Sequence, residues 1–167
     1  MRLLALAAAG LSAVPLAGAA SGVRVVTGGG VRLALPAAWS RVRAAPSGAV
    51  TDPRTLLVVG TAGVRPRSSS CQIAAYRIPA AGAAVVVVGW KSLASSGGGP
   101  LPRGRRSLRR LVAVHRPSFE CFSGRGAAAD VMLGGKPYQV NVLVGDRASR
   151  QRVAAALAVA RSFDLAR

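Results

Sequence analysis

Residues 129–144 read ADVMLGGKPYQVNVLV, and this stretch decides the fold. Ala129 to Leu133 and Tyr138 to Val144 are apolar-rich runs flanking Gly134-Gly135. A Gly-Gly pair supplies the positive φ angles that a tight hairpin turn demands. Tyr138, Val140, Val142 and Val144 alternate with Gln139 and Asn141, the period-two pattern of a strand with one face in a core. Pro137 sits near the strand start, where a missing N–H costs least. Asp146 follows as a fair N-cap. The Ala-rich stretch Arg147 to Arg161 then places Val153, Ala156, Leu157 and Ala160 on one helical face. A hairpin running into an amphipathic helix predicts an antiparallel sheet with that helix packed on it.

Working toward the N-terminus, strands are expected at Val23 to Thr27, Val31 to Leu35, Leu56 to Val59, Gln72 to Ile78, Ala84 to Val88 and Leu108 to His115. Val31, Leu33 and Leu35 share one face. Pro36 ends that strand and Trp39 is expected to fold back as a core anchor. The run AVVVV at residues 84–88 is apolar throughout, as in a strand buried on both faces. Residues 95–106, SSGGGPLPRGRR, break the pattern and predict a mobile basic loop near 95–107. The expected class is α+β: a mostly antiparallel sheet of about six or seven strands, with the C-terminal helix on one face.

The first twenty residues carry an address. Met1-Arg2 is followed by an uncharged stretch from Leu3 to Ala20, ending in small residues at Ala17-Gly18-Ala19-Ala20. That is the layout of a secretory signal peptide. Residues 1–20 are therefore expected to be removed, leaving 21–167 as one exported domain. The alternative is an uncleaved membrane anchor, since the apolar stretch approaches the roughly 20 residues that span a bilayer. No cysteine stands at the cleavage point, as a lipoprotein requires, and no later segment is long and apolar enough to span.

Two cysteines remain, Cys71 and Cys121. An even count in an exported chain predicts a disulfide. Closing its loop would contribute about 4 kcal/mol in the chain-entropy picture. Two independent buried thiols are the alternative, and no C-x-x-C supports a redox pair.

The charge is extreme: 23 Lys and Arg face 5 Asp and Glu, a net charge of +18. Only Lys91 and Lys136 are lysines, so the excess is nearly all arginine. Compositional drift in a GC-rich genome explains that skew without a ligand. Attraction to anionic lipid or polymer is the functional alternative. Aromatics are 4% of the chain and none interleaves the basic segment, which argues against nucleic acid because base stacking needs aromatics beside cations.

Catalytic constellations are sparse. His115 is the one histidine and no G-x-S-x-G elbow accompanies it. A thiol nucleophile would need Cys71 or Cys121 beside it. The five acids, Asp52, Glu120, Asp130, Asp146 and Asp164, are scattered. Asp52 precedes Pro53 as a turn former, and Glu120 with Asp130 is the one conceivable carboxylate pair. Metal-ligand spacing is absent, and neither glycine run has the context of a phosphate loop. No cofactor is expected.

The order of features resembles small exported proteins of unassigned function from high-GC Gram-positive bacteria. The residues that carry this are the leader, Val31 to Trp39 (VRLALPAAW), the paired cysteines, and Val142 to Asp146 (VLVGD) running into the helix and Ser162-Phe163. The strand-Pro-x-x-Trp opening is also similar to the start of Mog1/PsbP-like domains. The resemblance implies a compartment and an architecture, and carries over no functional residue.

The basic segment is the feature with functional content. Arg103, Arg105, Arg106, Arg109 and Arg110 fall within eight residues, with Arg116 beyond. Arginine forks suit phosphate and carboxylate. The expectation is a non-enzymatic cell-envelope protein that binds a partner protein, or an anionic polymer or lipid headgroup, through this loop. An exported hydrolase with an unrecognised site and an accessory subunit without ligand are the alternatives.

Overall fold

The computed structural model describes residues 22–46, 50–69, 71–73, 75–92, 100–115, 122 and 124–167. The expected leader, residues 1–20, lies outside them, as do Arg116, Glu120 and Cys121.

The strands are β1 (Arg24–Gly28), β2 (Val31–Leu35), β3 (Trp39–Arg41), β4 (Arg54–Thr61), β5 (Arg65–Pro66), β6 (Tyr76–Arg77), β7 (Ala83–Gly89), β8 (Arg125–Leu133), β9 (Lys136–Val144) and β10 (Asp164–Leu165). Among the described residues the helices are the single turn α1 (Arg106–Arg109) and α2 (Arg150–Arg161). The strand pairings are antiparallel and α2 is the C-terminal helix, as expected of an α+β chain.

The single sheet of six or seven strands is corrected to three sheets. Their orders are β3-β4-β7-β9-β8, β1-β2-β10 and β5-β6. The reason lies at Pro36. A proline closes β2, the Trp39 N–H donates to the Pro36 carbonyl at 3.0 Å, and the chain turns a corner into β3 of the larger sheet. The β1-β2 hairpin therefore folds over the core instead of extending the sheet. Trp39 is 1% exposed in that corner, the anchor its position predicts.

Both faces of the five-stranded sheet are covered. Val85, Val87, Val140, Val142 and Val144 meet β2, Phe163 and the apolar side of α2. Ala84, Val86, Val88 and Leu143 meet Val42, Ala75 and Tyr76 on the other face. This explains why β7 is apolar at every position. The Tyr76 hydroxyl accepts the Ala45 N–H at 3.0 Å, and burial pushes its pKa up.

The decisive hairpin forms as read. Gly134 and Gly135 take φ of 56° and 74°, and Leu133 pairs Lys136 across the turn. The helix begins later than expected. Ser149, not Asp146, is its N-cap, accepting the Arg152 N–H at 3.1 Å. Residues 145–148 are used first to hold the exit of β9: Gly145 N–H bonds Gly82 O at 2.9 Å and Arg147 N–H bonds Ala80 O at 2.8 Å. A Cβ at position 145 would collide with the Pro79 carbonyl oxygen, so only glycine passes there.

Two strand expectations are corrected. Within 72–78 only Tyr76 and Arg77 are in a strand, and Ala74 lies outside the described residues. Leu108 to His115 is not a strand either. It opens inside α1, and only His115 reaches the sheet, as a bridge to Gly126. The expected Cys71–Cys121 disulfide is also corrected: among the described residues no cysteine pair stands at disulfide distance, and Cys121 lies outside them. Cys71 is half-buried beside Pro53, Ile73, Val88 and Trp90. An even cysteine count and a loop length do not bring two Cα atoms within the roughly 7 Å that bridging needs.

Candidate anion-binding surface

The basic segment runs as a strap along the outer edge of β8. Met132 N–H donates to Pro102 O at 3.0 Å and Gly104 N–H returns a bond to Met132 O at 3.0 Å. Ser107 Oγ donates to Asp130 O at 2.6 Å. Leu108 is fully buried and Leu111 is 5% exposed, both in the main core. Residues 100–107, the described part of the mobile loop expected near 95–107, are thus tied to the sheet at several points.

The arginines divide by role. Arg105 Nη2 donates to the Arg161 carbonyl at 2.8 Å and its Nη1 stands 3.1 Å from Asp164 Oδ2. Arg32 reaches the same oxygen at 3.0 Å. The Arg32 hydrogen bond leads the effects that hold the Asp164 carboxyl below its ordinary pKa. Arg161 Nη1 donates to Leu111 O at 3.0 Å. Arg105 is therefore a fastener between strap, α2 and β10. Arg103, Arg106, Arg109 and Arg110 are exposed, with no salt bridge to a described residue. Sequence reading placed all six arginines in one group, and the structure separates Arg105 from Arg103, Arg106, Arg109 and Arg110, while Arg116 lies outside the described residues.

Among the described residues the remaining candidates do not converge on a reaction centre, and Glu120 and Cys121 lie outside them. His115 is exposed, its backbone paired with Gly126 in both directions at 2.8 and 3.0 Å. Asp130 Oδ1 accepts Gln139 Nε2 at 2.8 Å, and Asp52 Oδ1 accepts the Lys91 N–H at 3.1 Å. Among the described residues no three His, Cys, Asp or Glu side chains group as a metal would require.

A second basic feature escaped the sequence reading. Arg54 at the start of β4, Lys91 just past β7 and Lys136 at the start of β9 line one cleft of about 160 Å³. Leu56, Trp90 and Tyr138 supply its apolar wall, and Asp52 is its one acid. Burial raises the Tyr138 pKa. Gly29 closes one side in a left-handed conformation at φ +57°, where a Cβ would press against Leu56 Cβ at 2.8 Å. The three cations come from three distant segments, so no local motif announces them.

Compared with known proteins, the chain matches no family model and no curated sequence.

Proposed function

We propose that this is a non-enzymatic exported protein of the cell envelope that binds an anionic, phosphate-bearing surface through the strap. The observation that carries the proposal is the placement of Arg103, Arg106, Arg109 and Arg110, exposed on a segment fastened by Leu108, Ser107 and Arg105. Prearrangement removes much of the ordering cost that a floppy basic loop would incur on binding. The paired acids lie elsewhere, so these four guanidiniums are not neutralised by a described carboxylate. The leader-like residues 1–20 and the resemblance to small exported proteins support the compartment.

The test is co-sedimentation with phosphatidylglycerol vesicles against phosphatidylcholine vesicles. Each arginine near an anionic surface contributes on the order of 1 kcal/mol. Replacing all four by Ser should therefore weaken binding by about two to three orders of magnitude, at about 1.4 kcal/mol per decade. Equal binding to both vesicle types, or full binding by the Ser variant, would defeat the proposal.

A further inference from the structure

We infer that the cleft between the ends of β4, β7 and β9 is a separate site for a single phosphate ester group. Its walls come from the sheet itself. Arg54 pairs Gly89 across β4 and β7, Gly89 pairs Tyr138 across β7 and β9, and Leu133 pairs Lys136 in the hairpin. The Trp90 N–H donates to Pro137 O at 3.1 Å, which extends the β7-β9 pairing to the rim. Gly89 has no side chain, and a Cβ there would meet Leu56 Cδ1 at 2.7 Å and the Tyr138 ring at 3.1 Å. Leu56 and Tyr138 therefore close over the backbone and form a firm floor. Asp52, by accepting the Lys91 N–H, holds the chain past β7 against that floor.

The chemistry follows from size and charge. About 160 Å³ holds roughly five water-sized groups, and a phosphate group has five non-hydrogen atoms. Three cations against one carboxylate leave an excess that matches the nearly dianionic charge of a phosphate monoester at neutral pH. Three like charges around so small a space repel one another, and an anion relieves that repulsion. Arg54 offers a planar fork for two phosphate oxygens. Leu56 and Trp90 give the carbon beside the phosphate an apolar wall. A monocarboxylate meets the cations with half the charge, and a neutral polyol meets them with none.

The structure supplies its own reporter, because Trp90 is at the rim while Trp39, the other tryptophan, is buried in the core. The full chain is titrated with glycerol 3-phosphate, with acetate and glycerol as controls, by tryptophan fluorescence and by calorimetry. The expected result is saturable one-to-one binding of glycerol 3-phosphate, at least tenfold tighter than acetate. Trp90→Phe should lose the fluorescence signal and keep the heat. Arg54→Ser and Lys136→Ser, each with an unchanged thermal midpoint, should each weaken binding about 10-fold or more. The triple strap variant Arg106→Ser, Arg109→Ser, Arg110→Ser should bind within about twofold of the parent, which separates this site from the strap.

Absence of saturable heat, equal affinity for acetate, or full affinity in both cleft variants would overturn the inference. Loss of glycerol 3-phosphate binding in the strap variant would overturn it too, by placing the phosphate elsewhere. The source of the phosphate is read by competition. Displacement of the protein from phosphatidic acid vesicles by glycerol 3-phosphate identifies a lipid phosphate monoester as the occupant. Saturable glycerol 3-phosphate binding without displacement identifies a soluble ester, and both results sustain the site.

Discussion

Leu108→Ala removes the side chain that anchors the strap. Leu108 is fully buried in the main core although its helix is a single turn. Truncating a buried leucine costs about 2–5 kcal/mol, the transfer loss plus the residual cavity. The strap lies at the margin of the core and can settle into the space, so the lower half of that range applies, about 2–3 kcal/mol. For a chain of this length each kcal/mol moves the midpoint by about 2–4 °C, giving a fall of roughly 4–12 °C. The assay is thermal unfolding by circular dichroism, paired with hydrogen exchange at the amides of Gly104, Arg109, Arg110 and Leu111. Each of those amides is bonded to a carbonyl, at Met132, Arg105, Ser107 and Leu108 respectively. Native protein should protect all four, and the variant should expose them while β7 and β9 stay protected. A midpoint change below about 2 °C, with the four amides unprotected already in the parent, would refute the reasoning.

Other outcomes follow from single groups. Asp164 is held below its ordinary pKa by the Arg32 hydrogen bond first, so its contribution is present above the usual carboxylate range and fades as pH falls through its depressed folded value. Its side chain and those of Arg32 and Arg105 are 31–37% exposed, so solvent screening limits the loss in Asp164→Asn to about 1 kcal/mol at neutral pH; urea titrations across pH should show that difference shrinking toward strong acid, and a difference that grows there is the contrary result. Asn141 Oδ1 is buried with no partner among the described residues, and its Nδ2 reaches Val86 O only at 3.4 Å. Asn141→Leu is therefore expected to leave stability unchanged or raise it by about 1 kcal/mol, since an unsatisfied buried acceptor disappears; a clear loss in urea titration counts against this. Ser149→Ala should lower stability by about 1 kcal/mol through the lost N-cap, with far-ultraviolet dichroism showing fraying at the start of α2.

What the sequence made legible was local. The Gly134-Gly135 turn, the alternation from Tyr138 to Val144 and the buried face of α2 each depend on neighbours within a few residues. Trp39 was legible because Pro36 forces a corner that needs a large side chain beneath it. The partition into three sheets was not, because it depends on which way that corner sends the chain. Leu111 to Val114 has the apolar content of a strand, yet the preceding turn of helix fixes Leu108 in the core and leaves Val112 73% exposed. The roles of the arginines were hidden for the same reason. Arg105 acquires its partners only when α2 and β10 return to the strap, 56 and 59 residues later along the chain. The cleft was invisible because Arg54, Lys91 and Lys136 meet only through the register of β4, β7 and β9.

The most direct measurement is the salt dependence of binding to phosphatidylglycerol vesicles, made in parallel on the parent and on the variant with Arg103, Arg106, Arg109 and Arg110 all changed to Ser. The account predicts strong binding at low salt that falls steeply as salt rises, and a variant that folds normally with weak binding and a shallow slope. Parent and variant that bind alike at every salt concentration would contradict it, leaving the arginine excess as composition without a ligand.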